Sequence, residues 1–242
     1  MTDSLFAGLK VIDCASWIAG PCAATILSDF GADVIKIEPP EGDTTRVLGP
    51  ARNPGMAAFY LGCNRSKRSI VLDLKQDAGR KALFKLAETA DVLMHNYRPE
   101  PAKRLGVEYE KFEKINPRLV YLATYGSRAA GPMGPKAAYD DIIQAGSGLA
   151  SLQTVVAGQP RFLPTIVADK TSSNGVVSAL LAALEVWKAF STVPMSQTVE
   201  LSEISAPSLR SATARASNPL PATPYSANSV PTTIRVSEPS PP

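Results

Sequence analysis

Apolar residues along the chain fall into short runs that alternate with amphipathic stretches. LKVID (9–13), DVIKIE (33–38), SIVLDL (69–74), DVLMHNYRP (91–99) and RLVYLATYG (118–126) are apolar runs of strand length, and each predicts a β-strand. Between the first two lies PCAATILSDFG (21–31), with Pro at the first helical position and Gly31 after the last turn, which predicts a helix. DAGRKALFKLAETA (77–90) places Ala78, Leu83, Leu86 and Ala87 at helical spacing, and YEKFEKINP (109–117) predicts a shorter helix stopped before Pro117. Strand, helix, strand in repetition is the βαβ unit of parallel sheets. The predicted class is therefore α/β, a Rossmann-like parallel sheet with flanking helices.

The segments between these elements carry the polar chemistry. The 39–59 segment, rich in Pro and Gly, predicts a long surface loop, and SRAAGPMGPKAAY (127–139) predicts another that can fold over a ligand. Arg65, Lys67, Arg68 and Lys75 flank the third strand, as either a solvated edge or a phosphate site. His95 and Asn96 to Arg98 end the fourth strand, where ligands gather in open α/β sheets; a lone histidine there is first a hydrogen-bonded structural residue. In PTIVADKTSSNG (164–175), Asp169 stands between a strand-like apolar run and a long apolar helix. It reads first as an N-cap, and only as the minority alternative as a nucleophile at the rim of a core.

Composition narrows the function classes. A net charge of +3 over 242 residues gives no basic footprint for nucleic acid. Cys14, Cys22 and Cys63 have neither metal nor disulfide spacing, which predicts a reducing compartment and no metal site. The N-terminus has no basic and apolar signal pattern, and no apolar run reaches membrane-spanning length, so a cytoplasmic protein with no membrane partner is expected. The first strand-to-helix loop lacks a G-x-G-x-x-G fingerprint, and Asp29-Phe30-Gly31 ends a helix without kinase partners. A dinucleotide site and a kinase are both set aside.

The stretches GLKVID, AGPCAATILSDFGADVIKIEPPEGD, NRSKRSIVLDLK, ADVLMHNYRP, RLGV, INPRLVY, YDDIIQAGSGL and ADKTSSNG, in this order, resemble the N-terminal part of the family III coenzyme A transferases, the CaiB/BaiF group. The resemblance runs from about Leu5 to about Leu184. It implies that Asp169 attacks an acyl-CoA thioester. It implies a coenzyme A site formed by Trp17, Ile18, Ala19, Leu72, Lys75, Asn96, Tyr97 and Arg104, with Lys136 and Tyr139 nearby. The implied substrates are a small-molecule acyl-CoA and a carboxylic acid, exchanged through aspartyl-anhydride and aspartyl-CoA intermediates. Tyr139 stands where the family's racemase has a histidine. A phenol of pKa near 10 is a poor base at neutral pH, so transfer is favoured over racemisation.

The end of the chain departs from the family pattern. From Ser191 about half the residues are Ser, Thr or Pro, a composition that predicts a disordered tail. The expected organisation is residues 1–190 as an incomplete large domain of a family III transferase and 191–242 as the tail, a frameshift or natural linker. Full-length members resemble interlocked homodimers, an arrangement not expected without the later segments; a truncated, non-catalytic CoA-binding remnant is the alternative to an active transferase.

Overall fold

The computed structural model describes residues 4–128, 131–134, 136–190, 197–200 and 232–236. Five parallel strands, β1 (Lys10–Asp13), β2 (Asp33–Glu38), β3 (Arg68–Val71), β4 (Val92–His95) and β5 (Val120–Thr124), lie in the order β3-β2-β1-β4-β5. This is the doubly wound arrangement expected from the repeated apolar runs. Two further strands, β6 (Gln197–Glu200) and β7 (Thr232–Val236), add antiparallel beyond β5. Both fall inside the segment expected to be a structureless tail; the rest of 191–242 lies outside the described residues.

Strand alternation sorts the core onto two faces. Val11, Val92, Met94, Val120 and Leu122 point to one face, where helices α1 (Ala19–Asp29) and α9 (Val167–Phe190) cover them through Ala23, Leu27, Val176 and Leu180. Ile12, Leu93, Tyr121 and Ala123 point to the other, under α3 (Asp77–Ala87) and α5 (Tyr109–Ile115) through Leu83 and Phe112. One-residue alternation therefore fixes which helix each strand residue meets. It also sends the buried strand-terminal residues to different faces at the carboxyl end of the sheet, Asp13 and Thr124 following Val11 and Leu122, and His95 following Leu93.

Several expectations are corrected by these contacts. Helix α1 opens at Ala19, two residues before Pro21, because proline's missing N–H is tolerated anywhere in a first turn. The 39–59 segment is no free loop. It holds a 3₁₀ turn (Thr44–Val47), and Arg46 grips Glu38 through Nε and Nη2, each at 2.7 Å, while covering the ring of Tyr60. Tyr60, in α2 (Ala58–Asn64), donates its hydroxyl to the same carboxylate.

Three of the four residues of the basic cluster are likewise internal or paired, and Lys75 is exposed. Arg65 pairs with Asp29 and Arg68 with Asp33, while Lys67 is buried against Asp13 at 2.8 Å. None of the three is a free phosphate anchor in this structure. Lys36, on the inner strand β2, is also buried, between Asp43 at 3.0 Å and Asp13 at 3.9 Å.

Candidate active site

The strand order reverses between β1 and β4, and the loops leaving those two strands diverge there to leave a crevice. A cleft of about 350 Å³ opens at this point, walled by the β1 loop, the β4 loop, residues 125–127, 134 and 136–139, and the start of α9. A second hollow of about 440 Å³ adjoins it and is lined by Ile18, Phe162, Leu163 and Ile166. Trp17, Tyr139, Asp140 and Asp169 belong to both.

The β1 loop is held in an uncommon conformation. Trp17 has φ 68°, a region that L-residues other than glycine enter at a cost of about 1–3 kcal/mol. The Asn96 side chain fixes the loop from the neighbouring strand end: its amide oxygen accepts from Ser16 N–H at 3.0 Å and its amide nitrogen donates to Ser16 C=O at 2.8 Å. The Trp17 ring meets Tyr139 edge to face, with centroids 5.7 Å apart. Two close approaches seat these loops. A Cβ on Gly20 would lie 2.4 Å from the Ala15 Cβ, and one on Gly126 would lie 2.0 Å from the Ala138 Cβ.

Asp169 lies in the first turn of α9, so it is neither the N-cap nor the end of a strand. Residues 164–166 form tight turns instead of a strand, with Thr165 N–H bonded to Leu163 C=O and Val167 N–H to Thr165 C=O. The cap comes from Asp140, the first residue of α6 (Asp140–Gly146), whose carboxylate accepts from Ala168 N–H at 2.7 Å and Asp169 N–H at 3.1 Å. Gln144, one turn on and buried, donates to Asp140 at 2.6 Å and to Thr165 C=O, and accepts from Leu163 N–H. Burial, then the adjacent Asp140 charge, push the Asp169 carboxyl up to about 6, against the pull of a hydrogen bond from Ala19 N–H. Ser173 ties the two helices together here, its hydroxyl 2.9 Å from Ala19 C=O and 2.8 Å from Asp169 C=O.

The expected site residues divide between the cleft and its surroundings. Trp17, Ala19, Asn96, Tyr97, Lys136, Tyr139 and Asp169 line the cleft, and Ile18 lines the adjoining hollow. Leu72, Lys75 and Arg104 do not. Leu72 packs against the α3 face of the core, Lys75 is exposed beyond β3, and Arg104 is exposed in the last turn of α4 (Pro99–Leu105). His95 is a structural residue. Burial alone pushes it down to about 3, Nδ1 accepts from Tyr97 N–H at 3.0 Å, and Nε2 lies 2.7 Å from the Tyr121 hydroxyl, which itself donates to Val107 C=O. Asp140 and Gln144 were not singled out from the sequence, although their i, i+4 spacing in YDDIIQA places both on one helix face.

A perturbed carboxylate at the switch-point crevice of an open α/β sheet marks a candidate site for small-ligand chemistry. A family model, CoA-transferase family III, matches residues 6–216, and the chain belongs to that family. The match continues past Leu184, where the sequence motifs ended. A succinate–glutarate CoA-transferase of Agrobacterium fabrum is 41% identical over 184 residues, covering 73% of this chain and 46% of that protein. An acetyl-CoA:oxalate CoA-transferase of Acetobacter aceti is 41% identical over 187 residues, covering 73% and 47%. Among solved structures, a CaiB/BaiF family protein from Brucella suis superposes with TM-score 0.69 at 35% identity, covering 76% of this chain and 51% of that one. The chain spans about half the length of the relatives it matches. No helix among the described residues is long and apolar enough to cross a membrane.

Proposed function

We propose that this chain carries the acyl-CoA-handling half of a cytoplasmic CoA transferase, with Asp169 as the nucleophile. The supporting observation is the setting of that carboxylate: it faces a cleft of mixed polar and apolar lining on one side and a mainly apolar hollow on the other, at the sheet's switch point. The cleft suits the coenzyme, with Lys136 on its rim for phosphate charge and Trp17 and Tyr139 offering ring faces and edges. The hollow suits the acyl group.

In this reading the ionised Asp169 oxygen adds to the donor thioester carbonyl, and the C–S bond breaks to give an aspartyl anhydride and the CoA thiolate. The thiolate attacks the aspartyl carbonyl and expels the donor acid, leaving an aspartyl-CoA thioester. An acceptor carboxylate then adds to that thioester, forming a second anhydride and freeing the thiolate again. The thiolate finally takes the acceptor acyl group, and Asp169 leaves as carboxylate. The raised pKa serves this cycle in a definite way. It makes Asp169 a more basic nucleophile than an ordinary aspartate, while leaving it ionised at neutral pH. Two relatives are named for transfer to or from glutarate and oxalate, so dicarboxylic acids are the acceptors to try first.

Incubation with an acyl-CoA, rapid quenching and peptide mass spectrometry test the assignment. The expected result is an acyl or CoA adduct on the peptide holding Asp169. Coenzyme A binding with Asp169 left unmodified would instead identify a CoA-holding protein without transfer chemistry.

A further inference from the structure

Cys22 and Cys63 are 41 residues apart in the chain, yet their sulfurs share a thiol–thiol hydrogen bond at 3.3 Å. Cys22 lies in the first turn of α1 and is partly exposed; Cys63 lies in α2 and is buried. The pair is held from both backbones. The buried Lys67 ammonium donates to Pro21 C=O at 2.8 Å and to Cys63 C=O at 3.0 Å, so one cation clamps the residue before Cys22 to Cys63 itself. Thr25, one turn further along α1, also donates its hydroxyl to Cys63 C=O. Helices α1 and α2 are thus pinned together at the two sulfurs.

The two thiols are unlike each other. The hydrogen bond shared with Cys63 draws the Cys22 thiol below its ordinary value against burial, with the Lys67 charge assisting, and the same bond and burial drive Cys63 upward. Cys22 is the more accessible of the two residues and the one whose thiol is drawn down, while Cys63 is buried and its thiol is driven up. Cys14, the third cysteine, is buried, and burial pushes its thiol upward too.

We propose that Cys22 and Cys63 form a redox modification site that takes a hydroperoxide and closes to a disulfide. The Cys22 thiolate attacks one peroxide oxygen, the O–O bond breaks, and the departing hydroxide is protonated to water, leaving Cys22 as a sulfenic acid. The Cys63 sulfur then attacks the Cys22 sulfur, the S–O bond breaks, and the leaving hydroxide takes the Cys63 proton as a second water. Two thiols and one hydrogen peroxide become one disulfide and two waters; both sulfurs are oxidised and both peroxide oxygens reduced. Closure draws the first turn of α1 toward α2. That turn contains Ala19, whose N–H holds Asp169, so the site is built into the same corner of the fold as the cleft.

Treating the intact chain with hydrogen peroxide and mapping its peptides tests this without any activity assay. The expected result is a mass loss of two hydrogens, a Cys22–Cys63 cross-linked peptide, and a fall in thiols titrated under denaturing conditions from three to one, all reversed by dithiothreitol. Cys63→Ser is expected to accumulate a Cys22 sulfenic acid that dimedone traps, and Cys22→Ser to leave Cys63 unreacted over the same time. Three unchanged thiols, oxidation of Cys22 to the sulfinic acid without cross-linking in the unsubstituted chain, or equal reactivity of Cys63 in Cys22→Ser would each overturn the proposal.

Discussion

Two regions at the carboxyl end of the sheet are both rich in charge, and they treat it in opposite ways. Around β1 and β2, each buried carboxylate has a cation: Asp13 meets Lys67 and Lys36, Asp43 meets Lys36, and Glu38 meets Arg46. Around the start of α9, two carboxylates, Asp140 and Asp169, face one another, and among the described ion pairs neither has a cation. Opposite charges brought together lower the free energy of the fold, whereas like charges raise it and are retained where chemistry uses them. The first region is scaffold and the second is tension held by that scaffold.

The sharpest break of this comparison is Asp169→Asn. Adduct formation is expected to vanish, a loss of more than about a thousandfold for removing a covalent nucleophile, as read by mass spectrometry after acyl-CoA treatment. The same substitution is expected to stabilise the fold at pH 7. Asp169 has a folded value above its ordinary 3.8, so folding disfavours the ionised form and stability falls as pH rises through the window from about 4 to about 6. Asparagine escapes that penalty, on the order of 1 kcal/mol after allowance for solvent exposure, and the gain disappears below pH 4. A variant that loses both stability and adduct would remove Asp169 from the strained side of the comparison.

On the scaffold side the sign reverses. Asp13→Ala strands the Lys67 ammonium in the core and is expected to cost about 3–5 kcal/mol, measured as a fall in the urea midpoint. Glu38→Gln is expected to cost less, about 2 kcal/mol. Burial works against the Glu38 charge, but hydrogen bonds from Arg46, Ser69, Asp43 N–H and Tyr60 pull the carboxyl down to about 2. The stabilisation from Glu38 is therefore present above its ordinary value of 4.5 and is lost as pH falls through about 2. Acid denaturation of the unsubstituted chain should show that loss between pH 5 and 2, and Glu38→Gln should flatten it.

The scaffold's strands were legible because apolar runs such as VYLAT and VLMH must alternate between two buried faces, and alternation is a local property. The partners of the charges were not, because Lys67 reaches Asp13 across 54 residues and Asp140 reaches Asp169 across 29. A basic run beside a strand looks the same in sequence whether it faces solvent or folds inward. The entry to α9 was misread for a related reason. Ile166 and Val167 favour a strand locally, but a distant carboxylate supplies the cap that starts a helix at Val167. Asp169 itself was visible as a candidate only beside a polar, Gly-containing helix start, and its tuning by Asp140 needed the fold.

The smallest expected effect is also the most discriminating, because it changes charge while leaving the cap nearly intact. In Asp140→Asn the side-chain oxygen still accepts from Ala168 and Asp169 N–H, so α9 keeps its first turn. The new amide meets the Gln144 amide donor to donor, a local cost of about 1 kcal/mol. The like charge next to Asp169 is gone, however, and the acid limb of adduct formation is expected to move from about pH 6 toward the ordinary aspartate value of 3.8. The remaining groups near Asp169 act in known directions: burial still raises it, the Ala19 N–H still lowers it, and the Cys22 thiol of α1, Lys170 on α9 and Lys136 across the cleft keep their places. Carbon NMR of the Asp169 carboxyl reads the same titration without turnover. A midpoint that stays at pH 6 in Asp140→Asn would make Asp140 a cap alone, and burial would then be the whole source of the tension at this site.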